Sequence, residues 1–252
     1  MSTAFRVLSW NIHDGKLRPG QKACLTTMLA GIRPDFVVII EYNPPNRNST
    51  AAQSANPACD TVLQSAGFGA PRIAVLSVSP SGKTRREVAV YARAGLALTP
   101  HAQPELAAAA GYQLFQTGIG DTPFLLAPIL LHHKGEGPRL QRLLQTWESI
   151  GQPCVGIGDF NRDEARWANV PYLAGYYHGG WRPPAPQNID LHGNVSACGG
   201  SDVFTWFGKN VQRRLDYALT TPNRSARIRD LYHVKGAIGS DHRPIVADFE
   251  IP

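Results

Sequence analysis

An α/β sandwich is the architecture this sequence predicts. Short apolar runs of strand length recur along the chain, segments of helical period lie between them, and no linker interrupts the alternation. Phe5–Trp10 reads as the first strand, and an amphipathic helix follows from about Gln21 to Ile32. Asp35–Ile40 is apolar almost without a break, as a strand covered on both faces must be. A helix near Cys59–Ala66 leads to strands at Arg72–Val78 and Glu87–Arg93. Phe124–Leu131 is a further buried strand, Arg139–Ile150 has helical period, and Pro153–Gly158 repeats the short apolar strand. Strands at Val203–Phe207, Arg214–Leu219 and Ile245–Ile251 complete the pattern. Tyr176–Ser201 reads as one long irregular stretch, of the kind that is either functional or disordered.

The 252 residues are enough to bury a substantial core, and without a linker they read as a single domain over 1–252. No run approaches the roughly 18 apolar residues of a membrane-spanning helix, so stable membrane insertion is not expected. The N-terminal residues lack a basic start followed by an apolar run, so no secretory signal is visible. Cytoplasmic residence and export both stay open. A net charge of +6 favours polyanionic partners, although a solvated basic face would give the same number. None of the four cysteines forms a Cys-x-x-Cys pair, which argues against zinc. Cys154 reads as a core residue, while Cys59 and Cys198 lie in loop-like sequence where a disulfide or two thiols fit equally.

Polar residues of metal-binding type recur where the apolar strands end. The first strand runs into Asn11, the second into Glu41, and Phe124–Leu131 into His132 and His133. Pro153–Gly158 is followed by Asp159, Phe160 and Asn161, and Ser240-Asp241-His242 comes just before the last strand. Ligands of open α/β sheets collect at the carboxyl ends of strands, so these groups converge on one site. Each has a plain structural explanation alone: a surface carboxylate, an Asx turn, a satisfied histidine. The joint pattern does not. Magnesium takes oxygen ligands and leaves room for water and phosphate, which suits Glu41, Asp241 and the amide oxygen of Asn11. Asp159 and Asn161, two apart on extended chain, would address one phosphate or the attacking water. His242 is the natural base, and Asp216 is the carboxylate best placed to orient it.

Leu8-Ser9-Trp10-Asn11, Ile40-Glu41, Gly158-Asp159-Phe160-Asn161, Leu215-Asp216-Tyr217 and Ser240-Asp241-His242 together resemble the endonuclease/exonuclease/phosphatase superfamily. The motifs stand in family order and span nearly the whole chain. The resemblance implies a four-layer α/β sandwich, with two packed mixed β-sheets and helices outside. It implies a divalent-metal phosphoesterase, with magnesium as the metal and manganese or calcium as substitutes. Glu41, Asn11 and Asp241 match the metal-binding positions, and Asp159 and Asn161 match residues that position nucleophile and phosphate. Asp216 and His242 match the pair that activates water. His132 matches a histidine that binds phosphate or protonates the leaving oxygen, with Glu87 as its orienting carboxylate; His133 is the alternative.

The segments that mark inositol phosphatases and sphingomyelinases are not evident, and the strand-end histidine separates the chain from abasic-site enzymes. The nearest resemblance is to the deoxyribonuclease I-like branch, which favours a nuclease with DNA as substrate. Basic clusters at Lys83, Arg85 and Arg86, at Lys209, Arg213 and Arg214, and at Arg224, Arg227 and Arg229 agree, since Lys and Arg supply non-specific affinity for nucleic acid. In the long loop, Tyr176, Tyr177, Trp181 and Arg182 have the chemistry to stack on bases and hold phosphates. The rival readings are a lipid or inositol-phosphate phosphoesterase, and a binding protein with a retired site.

Overall fold

The computed structural model describes residues 2–15, 17–43, 55–78, 85–102, 113–131, 137–161, 187–189, 195–197, 204–209, 211–220 and 226–252. The first half of the chain forms β1 (Thr3–Asn11), α1 (Pro19–Ile32), β2 (Phe36–Ile40), α2 (Pro57–Ser65), β3 (Arg72–Val78), β4 (Arg85–Ala92) and β5 (Thr99–Pro100). It continues through β6 (Phe115–Ile119), β7 (Thr122–Leu130), α3 (Gly137–Ile150) and β8 (Cys154–Asp159). The C-terminal part adds β9 (Gln187–Ile189), β10 (Val195–Ala197), β11 (Trp206–Phe207), β12 (Gln212–Arg213), β13 (Asp216–Thr220), β14 (Arg227–Val234) and β15 (Ile245–Ile251).

Eight strands form one mixed sheet in the order β10-β9-β14-β15-β1-β2-β4-β3, and five form a second, β13-β8-β7-β6-β5. β11 and β12 make a separate two-stranded ribbon. Alternation along the strands decides which layer each side chain joins. In β1, Phe5 and Val7 point between the sheets, while Leu8 and Trp10 point outward under α1 and α2. β2 does the same with Phe36, Val38 and Ile40 against Val37 and Ile39, and all five are fully buried. This is why the sequence there is apolar without alternation. Rings of Phe5 and Phe124 stack across the two sheets at 4.2 Å, and Phe36 meets Phe124 edge-on. A third apolar layer packs Leu144 and Trp147 of α3 on the outer face of β7 and β8. Helix, sheet, sheet, helix is the four-layer sandwich expected from the resemblance.

Three expectations need correction, and one strand has no counterpart among them. β14 is an eight-residue strand in the large sheet, yet its sequence, Arg-Ile-Arg-Asp-Leu-Tyr-His-Val, reads as a charged segment. Arg229 there pairs with Glu250 at 3.0 Å on the neighbouring strand, so the charges decorate one face of a strand whose remaining residues are largely buried. Tyr176–Ser201 is not irregular throughout, since it contributes β9 and β10. The Val203–Phe207 strand shrinks to Trp206–Phe207. Cys59 lies on α2, not in a loop, and it is fully buried with its thiol outside any disulfide, and Cys24 and Cys154 are buried in the core as well. Cys198 lies outside the described residues.

Two glycines show how closely the strand ends are fitted. A Cβ on Gly158, whose φ is +152°, would stand 2.0 Å from the backbone oxygen of Ile129 on β7. A Cβ on Gly31, in exposed α1, would meet nothing within 4 Å. Gly158→Ala should therefore cost at least about 3 kcal/mol, because a backbone atom must yield. Gly31→Ala should add about 0.5–1 kcal/mol from helix propensity and reduced unfolded-state entropy. Urea denaturation of the two variants beside the parent chain checks both signs.

Candidate active site

The ends of β1, β2, β8 and β13 meet at one edge of the sandwich. β13 pairs antiparallel with β8 in a register that sets Asp216 opposite Asp159. Both carboxylates are buried, at 3% and 1% exposure. His242 enters between them from the turn before β15: its Nδ1 lies 2.9 Å from Asp216 Oδ2, and its Nε2 lies 3.8 Å from Asp159 Oδ2. Ligand-type atoms of the three residues all lie within 4.8 Å of one another.

The turn that carries His242 is tied to β1. Ser240 Oγ donates to the Asn11 carbonyl at 2.6 Å and accepts from the His242 amide, and Trp10 Nε1 donates to the His242 carbonyl. Asp216 is held from behind, where Thr205 Oγ1 accepts from the amides of both Leu215 and Asp216. Asn11 Nδ2 donates to Asp159 Oδ2 at 3.2 Å and to Glu41 Oε1 at 3.3 Å. Its amide oxygen instead accepts from the His13 amide, so the oxygen expected to face a metal is turned to the local backbone.

Glu41 has φ 55°, a left-handed conformation that turns its side chain back over the strand ends. Its Oε1 forms an ion pair with Arg86, and its Oε2 accepts from the Asp14 amide at 2.9 Å. Asp241 Oδ2 accepts from Trp206 Nε1, while its Oδ1 is buried without a hydrogen-bond partner, 3.2 Å from His13 Nδ1. Asn161 is not on extended chain as the spacing suggested. It too is left-handed, at φ 50°, and its amide donates to Asp159 Oδ1 while its Nδ2 donates to Asp159 Oδ2 and to the Leu131 carbonyl. Asp159 thus closes an Asx-type turn, and Asn161 locks that carboxylate.

A pocket of about 180 Å³ opens here, lined by His13, Glu41, Arg86, Asp159, Asn161, Trp206, Asp241 and His242. A larger depression of about 710 Å³ lies at the opposite strand ends, around Arg6, Asp35, Arg229 and Asp248. Arg6 and Asp248 pair there at 2.5 Å, and Asp35 accepts from the Arg6 amide. That depression is also where β14 puts Arg229, so the basic residues following Asp216 do not form one footprint around the site.

Burial governs the titration of the central groups. It would lower the pKa of His242, but the charges of Asp216 and Asp159 and the bond from Asp216 outweigh it, and the imidazolium is favoured up to about 10. Burial raises Asp159 well above the ordinary carboxylate range, more than the charge of His242 lowers it.

Glu87 is buried beside Glu41 and accepts from Asn43 Nδ2 at 2.9 Å. Arg214 stacks over Tyr217 at 5.0 Å, and Arg213 is half-buried on the β11–β12 ribbon. His132, His133, Trp181 and Arg182 lie outside the described residues, as do Lys83 and Arg224. The sequence reading missed His13, Asp14, Trp206 and Thr205 at the site. A His-Asp-Gly turn one residue beyond Asn11 was the available signal for the first two.

With the site in view, comparison with known proteins is decisive on one point. The sequence signature of the Endonuclease/Exonuclease/phosphatase family matches residues 8–242. The chain belongs to this family. Its members are phosphoric ester hydrolases and typically use a divalent metal. No curated protein is significantly similar in sequence. Among solved structures, the endonuclease domain of TRAS1, a telomere-specific non-LTR retrotransposon, shares 18% identity over 99% of this chain and 98% of its own, with a TM-score of 0.60. A family protein from Bacteroides thetaiotaomicron shares 14% over 100% and 99%, with a TM-score of 0.63. ANGEL2, a 2′,3′-cyclic phosphatase, shares 14% over 99% and 96%, with a TM-score of 0.56. At these identities the likeness is one of fold.

The backing of Asp216 gives a test of the site as built. Thr205→Val removes the acceptor of two buried amides and should cost about 1–3 kcal/mol, while Thr205→Ser should stay near the parent. Chemical denaturation of both variants measures the difference.

Proposed function

We propose that this protein is a metal-dependent phosphodiesterase that hydrolyses nucleic acid, with DNA as the preferred substrate. The observation that carries the reading is the buried Asp159–His242–Asp216 cluster opening on the same pocket as Glu41 and Asp241. Water attack on a phosphodiester needs a proton acceptor, a means to stabilise added charge on phosphorus oxygens, and a cation. Asp216 fixes His242 through Nδ1 and leaves Nε2 toward the pocket. Sequence reasoning gave His242 the role of base. Burial and charge support another division, in which Asp159 takes the proton from water and His242 meets the phosphate as a cation. Asn161 orients Asp159.

Glu41 and Asp241 fit a divalent cation. Glu41 already binds a positive group, and Asp241 Oδ1 is a buried acceptor without a donor. Asn11 would join them after an amide rotation that gives up the His13 amide. Such a cation, magnesium for preference, would withdraw charge from the phosphate. The Asp159–Asp216–His242 group is the less suitable seat, because its carboxylates already hold the imidazolium and His242, 6% exposed, cannot withdraw.

Nucleic acid is supported by the net charge of +6, by Lys209 and Arg213 on the ribbon whose Trp206 lines the pocket, and by likeness in fold to the endonuclease domain of TRAS1. His132 as leaving-group acid held by Glu87, and Trp181 and Arg182 as substrate contacts, belong to the same proposal. The test is a panel of plasmid, single-stranded DNA, RNA, sphingomyelin and phosphoinositide, with and without magnesium. Nicking of plasmid only with magnesium supports the reading. Release of inorganic phosphate from phosphoinositide with plasmid intact sinks it.

Two variants probe the parts. Glu41→Gln should abolish turnover while leaving the circular dichroism spectrum unchanged, and chelator should mimic it reversibly. His242→Ala and Asp216→Ala should each lose roughly 10²–10⁴-fold in rate, and the double variant should lose little more than the worse single one. Losses that multiply in the double variant would mean that the two residues do not act as a unit.

A further inference from the structure

Three donors already occupy the carboxylate of Glu41, two on Oε1 and one on Oε2, which leaves about one of its roughly four lone-pair sites open. It accepts from Asn11 Nδ2, from the Asp14 amide and from the guanidinium of Arg86. A divalent cation that takes Oε1 must displace one of these donors, and one that approaches Oε2 is repelled by the guanidinium seated on the same carboxylate. Asn11 is 1% exposed and is also held by Asp159, and the Asp14 amide is backbone. Arg86 alone has a long flexible stem and a side chain about one-third exposed, at 34%. It lines the pocket beside His242 and Asn161, and it is the one guanidinium among the described residues that line it. Displacement into the pocket would take its planar fork of donors toward the space a phosphate must fill, and that fork matches phosphate oxygens two at a time.

Resting on the reading of Glu41 as a cation ligand, we propose that Arg86 is a substrate-phosphate ligand held in reserve on Glu41 until a divalent cation takes that carboxylate. Cation and guanidinium compete for Glu41, and the loser is delivered to the substrate. Metal binding and phosphate binding then help each other, since freeing Arg86 serves one and occupying it serves the other. Asp14, 3.9 Å from the same guanidinium, offers the competing resting place.

The test titrates Mn²⁺ into the full chain by calorimetry without substrate, and measures kcat and KM on bis(p-nitrophenyl) phosphate. Arg86→Gln, which removes the competitor, should bind Mn²⁺ at least about fivefold more tightly than the parent. The same variant should raise KM about tenfold or more, with a smaller effect on kcat. Arg86→Lys should fold if the glutamine variant does not, and it should shift both quantities in the same directions by less. A structural role would weaken metal binding and turnover together. Unchanged or weaker Mn²⁺ binding in both variants overturns the proposal, as does tighter binding with unchanged KM, which would place the freed guanidinium on Asp14. Glu41→Gln separates this from failure of the underlying reading: if it binds Mn²⁺ as the parent does, Glu41 is not the ligand and both fall.

Discussion

Asp159 and Asp216 stand opposite each other at the paired ends of β8 and β13, both buried, and the imidazole of His242 lies between them. Two carboxylates in such a position repel each other and lose their hydration. A protonated His242 offsets both penalties, which is why its turn is so thoroughly fixed. Ser240 ties that turn to β1, Trp10 holds the His242 carbonyl, and Trp206 holds Asp241. The register of β13 on β8 is therefore more than sheet geometry. A slip of one residue would turn Asp216 to the other face and leave the imidazolium with a single partner.

The site stores conformational cost in its backbone. His13, Asp14, Glu41 and Asn161 all have positive φ, between 50° and 56°, where residues other than glycine are disfavoured. Three of the four are compensated by a specific bond: the His13 amide to Asn11 Oδ1, the Asp14 amide to Glu41 Oε2, the Asn161 amide to Asp159 Oδ1. The side chains that bear the chemistry are also the acceptors that hold these turns. Replacing a carboxylate here removes a reactive group and releases a strained turn together. Conservative amide variants are accordingly more informative at these positions than alanine.

Much of this was legible in the sequence, for a physical reason. Strands buried on both faces are apolar throughout, so Val37–Ile40 and Cys154–Ile157 stand out, and a polar residue just beyond them marks a strand end. The ends of such strands face one edge of the sandwich, so Glu41, Asp159 and His242 could be brought together before any coordinates. β14 was not legible, because a strand with one solvated face and a bulge between Ile228 and Asp230 mixes charged and apolar residues without a clean period. Nor was the left-handed turn at Asn161, since spacing of two implies extended chain only where the chain is extended. Pairings such as Arg86 with Glu41 come from adjacent strands of sheet order β2-β4, which no local pattern encodes.

Charge ties the architecture to the chemistry. The chain as a whole is basic, yet the carboxylates in and beside this pocket, Glu41, Asp241, Asp14, Asp159 and Asp216, outnumber the basic side chains they face there, Arg86, His242 and His13. An anionic phosphate brought to such a surface meets net repulsion. A further positive charge within the pocket reverses the balance locally. In a metal-assisted reading, the excess of carboxylates is what retains the cation, and the substrate then becomes a ligand instead of an intruder. The same excess explains why a guanidinium sits on Glu41 in the absence of competition: a buried carboxylate cluster draws in whichever cation can reach it.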